Sequence, residues 1–170
     1  MKIRLLMIGK TKERFIEEGY SFYRNRIDKY LSFTDHTIPS LKNTRNFTPE
    51  DFKIQEGKLI LKHCKENEYI VLLDEEGKQV DSLGFAGFIQ EIMNSSIKTL
   101  TFVIGGAYGF SDEVYRSAKM QLSLSNLTFS HQLARVIFME QLYRSMTILK
   151  NEPYHNEYCL LYTSPSPRDS

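Results

Sequence analysis

Two apolar runs in the C-terminal half, residues 100–104 and 120–124, each stop abruptly in a loop of small or polar residues. The first loop is Gly105-Gly106-Ala107-Tyr108-Gly109, and the second is Ser125-Asn126-Leu127-Thr128-Phe129-Ser130. A helical pattern follows each loop. Strand, loop and helix in this order belong to an open α/β sheet, where ligands bind outside the carboxyl ends of the strands. Two neighbouring loops of this kind are expected to form one crevice.

The rest of the chain extends the same alternation. Residues 3–8 are a β-rich run ended by Gly9 and read as a first strand. Residues 12–31 place Phe15, Ile16, Phe22, Tyr23, Ile27 and Tyr30 at helical spacing, with one face inward. A second strand lies within 32–38, before Pro39, and residues 41–47 form a polar loop. Thr48-Pro49-Glu50-Asp51 is a helix start, with a Thr cap, Pro at the first helical position and acid in the first turn. That helix runs to about Lys65, with Phe52, Leu59 and Ile60 inward. Residues 69–73 are uninterruptedly apolar, as in a parallel strand covered on both faces. Asp74-Glu75-Glu76-Gly77-Lys78 then reads as a turn. Ser82, Ser111 and Ser130 each read as the cap of a further helix, the last running to about Lys150. The expected fold is α/β, a mostly parallel sheet with helices on both faces, forming one domain over residues 1–157. Residues 158–170 read YCLLYTSPSPRDS, without periodicity. They are expected to be a disordered, non-native tail resembling translated vector sequence.

Composition excludes several classes. With 41% apolar and 25% charged residues, 170 residues are enough for one well-buried core. No apolar run approaches a membrane span, and Gly9-Lys10-Thr11-Lys12 offers no small-residue cleavage site after the first strand. Cys64 and Cys159 form no CxxC and no His/Cys cluster, so a cytoplasmic protein without a metal site is expected. The net charge of +1 hides an asymmetry. Residues 1–30 hold eight Lys/Arg against four Asp/Glu, whereas residues 50–91 hold five against ten. That distribution permits a basic patch on a near-neutral protein, or merely solvated helix faces.

The loops carry the chemistry. GGxxG after a strand is neither the dinucleotide fingerprint nor a phosphate-binding P-loop. Its glycines allow close backbone approach to a ligand, or simply a tight turn. The second loop offers hydroxyls, an amide and apolar Leu127 and Phe129, without charge. Such a loop suits a flat, uncharged heterocycle such as adenine better than a pyrophosphate. Asp74, ending the third strand, is placed either to reach a ribose hydroxyl or to solvate a turn. On the final helix His131 and Arg135 share one side at i, i+4. Glu140 and Arg144 share another, about half a turn of azimuth away. Apolar positions lie between them, so the helix is expected to touch neighbours on both sides. One side suits a dimer partner and the other a substrate; a core helix with one structural ion pair fits the same pattern. Pro153 ends it, leaving Tyr154 and His155 as a short tail.

FVIGGAYGFS, LSLSNLTFSHQLARVIFMEQLYR and NEPYH, together with KIRLLMIGK and LLDEEGK, resemble one family closely. It is the SPOUT-class methyltransferases that methylate N3 of a pseudouridine in large-subunit (23S) ribosomal RNA. The resemblance covers about residues 1–157. It implies a C-terminal trefoil knot, S-adenosyl-L-methionine as cofactor, a homodimer with each site near the interface, and the assembled ribosome as substrate. The matching cofactor residues are Leu73, Gly105, Leu124, Ser125, Asn126, Leu127, Thr128 and Phe129, with Gly106 expected beside them. His155, Arg135 and Tyr154 are implied in catalysis, His155 as base, and His131 and Arg144 in RNA contact. Ser130 stands where the family usually has Pro, and Asn156 where it often has a second His. Two rival readings are a non-catalytic ribosome-binding or assembly factor retaining the fold and a nucleotide-binding module for another ligand. The first would show no saturable S-adenosylmethionine binding.

Overall fold

In the computed structural model, which describes residues 1–156, five strands form one sheet in the order β2-β1-β4-β3-β5, all neighbours parallel. The tail expected to be disordered lies outside these residues. The elements are β1 (Lys2–Ile8), α1 (Arg14–Ile27), β2 (Ser32–Ile38), α2 (Pro49–His63), β3 (Tyr69–Gln79), α3 (Ser82–Met93), β4 (Thr99–Ile104), α4 (Asp112–Ser117), β5 (Met120–Ser123) and α5 (His131–Leu149).

Alternate residues of each central strand point to opposite faces, and both faces are covered. On one side Ile3, Leu5, Val71, Phe102 and Leu122 pack with Phe85 and Ile89 of α3, Ile27 of α1, and Phe138, Leu142 and Met146 of α5. On the other, Leu6, Ile8, Leu72 and Val103 pack with Ile60 of α2, Phe110, and Val114 of α4. The uninterrupted apolarity of residues 69–73 of β3 follows from this double burial.

Three of the expected caps form as expected. Thr48 and Asp51 make a reciprocal capping box. Ser111 Oγ accepts from Val114 N, and Ser130 Oγ accepts from Leu133 N at 3.1 Å. The cap of α3 is Asp81 rather than Ser82, its carboxylate accepting from Gly84 N at 2.7 Å. A carboxylate at this position also meets the positive end of the helix dipole.

The expected turn at residues 74–78 is instead a bulge within a longer β3. The ladder with β5 jumps from Leu73↔Leu122 to Lys78↔Leu122, so residues 74–77 loop out before pairing resumes at Lys78 and continues at Gln79↔Ser123. Gly77 is what lets the bulge lie against β5. A Cβ there would come within 2.6 Å of the Gln121 carbonyl carbon and 2.7 Å of Leu122 N, both backbone atoms.

Behind the β4 loop, α2 presents Glu56, a carboxyl only 8% exposed. Its Oε1 is buried without a hydrogen-bond partner, and a Cβ on Gly106 would lie 2.6 Å from it. Burial pushes the Glu56 pKa up.

Two predictions follow from these contacts. Gly77→Ala is expected to destabilise the fold by about 2 kcal/mol, because rigid backbone blocks the new methyl group. Gly87→Ala on α3, with nothing within 4 Å of the new atom, should be neutral or slightly stabilising; equal thermal shifts for the two would refute the contact. Glu56→Gln should stabilise the protein at neutral pH by on the order of 1 kcal/mol. Below the ordinary carboxylate range both folded and unfolded chains hold this proton. Above the raised native pKa, the native state must bury the charge. The gain should therefore shrink as pH falls below the native Glu56 pKa and vanish once pH is below the ordinary carboxylate range, measured by thermal unfolding of both proteins across pH.

Candidate active site

The C-terminal ends of β3, β4 and β5 surround a cavity of about 550 Å³. Leu73 to Glu76 line it from β3, Ile104 to Phe110 from β4 and its loop, and Leu124, Ser125 and Leu127 to Ser130 from the segment after β5. His131 and Ala134 of α5, Tyr115 of α4 and Lys53 of α2 complete the wall. Eight of the nine expected cofactor residues are on this lining: Leu73, Gly105, Gly106, Leu124, Ser125, Leu127, Thr128 and Phe129. Asn126 is not. Its side-chain carbonyl accepts a short hydrogen bond from Gln79 Nε2, and so braces the loop from outside.

The β3 bulge and the β5 loop are tied by a second contact, Thr128 Oγ1 donating to Glu75 Oε2 at 2.9 Å. Within the loop, Leu127 N donates to Ser125 Oγ at 3.0 Å and Ser123 Oγ to Ser125 O at 2.9 Å. These bonds fix the backbone shape, while Leu127 remains 71% exposed. Asp74 is engaged on both oxygens. Oδ1 accepts from Glu76 N at 2.9 Å, and Oδ2 accepts a short bond from the Tyr115 hydroxyl. Burial, and then the hydrogen bond to Asp74, raise the Tyr115 pKa, so the phenol keeps its proton.

The cavity wall is electrostatically divided. Asp74, Glu75 and Glu76 stand on the β3 side, and Lys53 and His131 on the others. The His131 pKa is lowered, first by burial and then by Arg135 and Lys12, which favours a neutral ring. Lys53 and Tyr115 carry no loop-like signature in the sequence, because they reach the cavity from helices; no local pattern points to them.

Arg135 does not line the cavity, contrary to its expected catalytic place. It is fully buried, with Nη2 donating to Ile8 O at 2.7 Å and Gly9 O at 2.8 Å, and Nη1 to Thr11 Oγ1 at 3.0 Å. The guanidinium thereby ties α5 to the loop leaving β1, and its five-donor fork is suited to that many acceptors. Burial lowers its pKa.

The remaining expected residues gather at the far end of α5. Arg144 Nη2 lies 2.5 Å from Glu140 Oε1, Tyr154 OH donates to the same oxygen at 3.2 Å, and the Arg144 guanidinium lies over the Tyr154 ring at 4.7 Å. Burial, then the Glu140 charge, raise the Tyr154 pKa. Arg144 Nη1 approaches His155 Nδ1 at 3.2 Å. A guanidinium only donates, so Nδ1 accepts, and a neutral His155 in this arrangement carries its proton on Nε2. His131 and Arg144 are thirteen positions apart on α5, or about 20 Å along the axis. One chain thus holds the cavity and the Glu140–Arg144–Tyr154–His155 cluster well apart.

The family model described as "Predicted SPOUT methyltransferase" matches residues 1–155. A protein of Parabacteroides distasonis named ribosomal RNA large subunit methyltransferase H is 48% identical over 157 residues, covering 92% of this chain and all of the relative. A protein of the same name from Christiangramia forsetii is 49% identical, with 92% and 99% coverage. A probable methylase family protein from Haemophilus influenzae shares the fold at a TM-score of 0.52 and 10% identity, covering 94% of this chain and 74% of that one. With nearly the whole described chain matched by the family model, and relatives aligned from end to end, this protein is a member of the SPOUT methyltransferase family.

Proposed function

We propose that this protein transfers a methyl group from S-adenosyl-L-methionine to N3 of a pseudouridine in large-subunit ribosomal RNA, acting as a homodimer on the assembled ribosome. The observation that carries this reading is the convergence of the β3, β4 and β5 ends on one cavity whose walls suit that cofactor. Its volume falls in the range of small-molecule sites. Apolar Leu73, Ile104, Leu124, Leu127 and Phe129, with the backbone of Gly105 and Gly106, would hold the adenine. Asp74 to Glu76 complement a cationic sulfonium, and Lys53 a carboxylate. When bound, the cofactor supplies an electrophilic methyl group, so no protein nucleophile is required.

The protein's own task is alignment and proton removal. Holding the base against the methyl group can contribute on the order of 7 kcal/mol. His155 is assigned to take the N3 proton. As it stands its basic nitrogen faces Arg144, so proton uptake requires Arg144 to move aside, for instance onto an RNA phosphate. Tyr154 is placed for stacking on the target base, and His131 for contact with RNA at the cavity rim.

Dimerisation reconciles the two distant parts of the site. Leu133 and Ile137 continue along α5 to Glu140 and Arg144 at helical spacing, and Leu133 is 37% exposed. Pairing of this face across a two-fold axis would bring the tail cluster of one subunit to the cavity of the other. The family's trefoil knot is part of the same reading, as the way the chain closes the cofactor loops.

The test is to incubate the protein with bacterial 70S ribosomes and labelled S-adenosylmethionine, then digest the RNA and identify the nucleoside by mass spectrometry. Labelled N3-methylpseudouridine is expected; no transfer, or transfer to another atom, overturns the reading. His155→Ala is expected to slow transfer by roughly 10²-fold while calorimetric affinity for S-adenosylmethionine stays unchanged. A wild-type rate would remove His155 from the mechanism. Sedimentation equilibrium should give a dimer mass.

A further inference from the structure

The carboxyl-end edge of the sheet is unevenly charged. In spatial order, the loops leaving β2 and β1 carry Lys42, Arg45, Lys10 and Lys12, while the bulge of β3 carries Asp74, Glu75 and Glu76. Between them, the β4 loop carries Tyr108 and no charged residue. All four basic side chains are exposed, and none has an ion pair or hydrogen bond to another described residue. The acidic groups nearest in sequence are Glu13, Glu50 and Asp51. Asp51 is held in the capping box of α2, and Glu50 lies 4.0 Å from Lys53.

The two basic loops lie side by side. Gly9 N donates to Ile38 O at 2.7 Å, and a Cβ on Gly9 would meet Ser40 Oγ at 2.7 Å. The β1 loop is also clamped to α5. Gln132 Oε1 accepts from Lys12 N at 3.1 Å, and Nε2 donates to Lys10 O at 3.0 Å, one residue from cavity-lining His131. From the β2 loop an aromatic chain reaches the same cavity. Phe47 packs edge-on against Phe52 at 5.4 Å between centroids, and Phe52 lies 5.0 Å from Tyr108. Tyr108 lines the cavity and is 47% exposed.

We propose that this surface seats the single-stranded RNA flanking the target nucleotide, with phosphates on Lys10, Lys12, Lys42 and Arg45 and a base against Tyr108. The inference rests on the ribosomal-RNA reading and gives the strand a direction of approach. Mutually repelling cations held on ordered loops call for a polyanion. The exposed Tyr108 ring, joined to the β2 loop through Phe52 and Phe47, selects one with flat bases. The acidic β3 bulge repels phosphate, so the strand reaches the cavity from the β2–β1 side.

The experiment compares wild type with a Lys10→Gln, Lys12→Gln, Lys42→Gln, Arg45→Gln variant. The control is Lys65→Gln, Lys98→Gln, at the opposite edge of the sheet. Binding to naked large-subunit ribosomal RNA and to 70S ribosomes is read by fluorescence anisotropy across a salt series, with thermal unfolding as the check on folding. The four-site variant is expected to lose at least about tenfold in RNA affinity, and to lower the slope of log K against log salt by about 3. The control should do neither. Unchanged affinity and slope, or an equal loss in the control, overturns the proposal. A loss on ribosomes with naked RNA unaffected also overturns it, and assigns the surface to a ribosomal protein. Should the four-site variant not fold, Lys42→Gln and Arg45→Gln singly each carry the test, with slope changes of about 0.7. Because binding is read without turnover, failure of the wild type to methylate RNA would overturn the methylation reading and leave this measurement intact.

Discussion

Leu73 stands opposite Ile104 in one neighbouring strand and Leu122 in the other. This double pairing is the constraint on which the site depends. It brings Leu73, where the bulge of β3 begins, level with the ends of β4 and β5, so the bulge and the two loops meet over one opening. Strand order makes this possible. β3 is inserted between β4 and β5, and the parallel ladder on each side fixes its height to within one residue. Core packing on both faces then holds the register, because a slip by one position would carry every buried side chain of β3 to the opposite face.

Much of this was legible in the chain itself. Four of the five strands announce themselves as short, mostly apolar runs closed by glycine or polar residues, while β2 is mostly polar and is marked by the Pro39 that follows it. Thr48, Ser111 and Ser130 mark helix starts because an N-terminal turn needs acceptors for its free amides. The loops lining the cavity were legible for the same reason, as small and polar residues placed where a strand must stop. What stayed hidden depends on contacts distant in sequence. Asp74 to Gly77 reads as a turn because nothing local reveals that β5 will pair again beyond it. Arg135 sits on α5 at the spacing of a functional residue, and only the tertiary structure reveals the Ile8 and Gly9 carbonyls against it. The order β2-β1-β4-β3-β5 cannot be read from consecutive elements.

The long last helix links two chemistries that one subunit keeps apart. Its first turn faces the cavity, and its last turns carry the charged and aromatic cluster that includes His155. Between these ends it is a core element, burying Phe138, Met139, Leu142 and Met146. Such a helix behaves as a rigid spacer, so the distance between the two groups is set by the number of residues rather than by loop flexibility.

The cross-braces from the β3 bulge to the loop after β5, Glu75 to Thr128 and Gln79 to Asn126, have a consequence for turnover. Glu75 and Thr128 themselves stand on the cavity wall, whereas Gln79 and Asn126 stiffen the same rim from behind. Gln79 and Asn126 are replaceable without altering the cavity lining. The residence time of spent cofactor, and with it the pace of successive cycles, is therefore adjustable from the solvent side while the pocket interior stays constant.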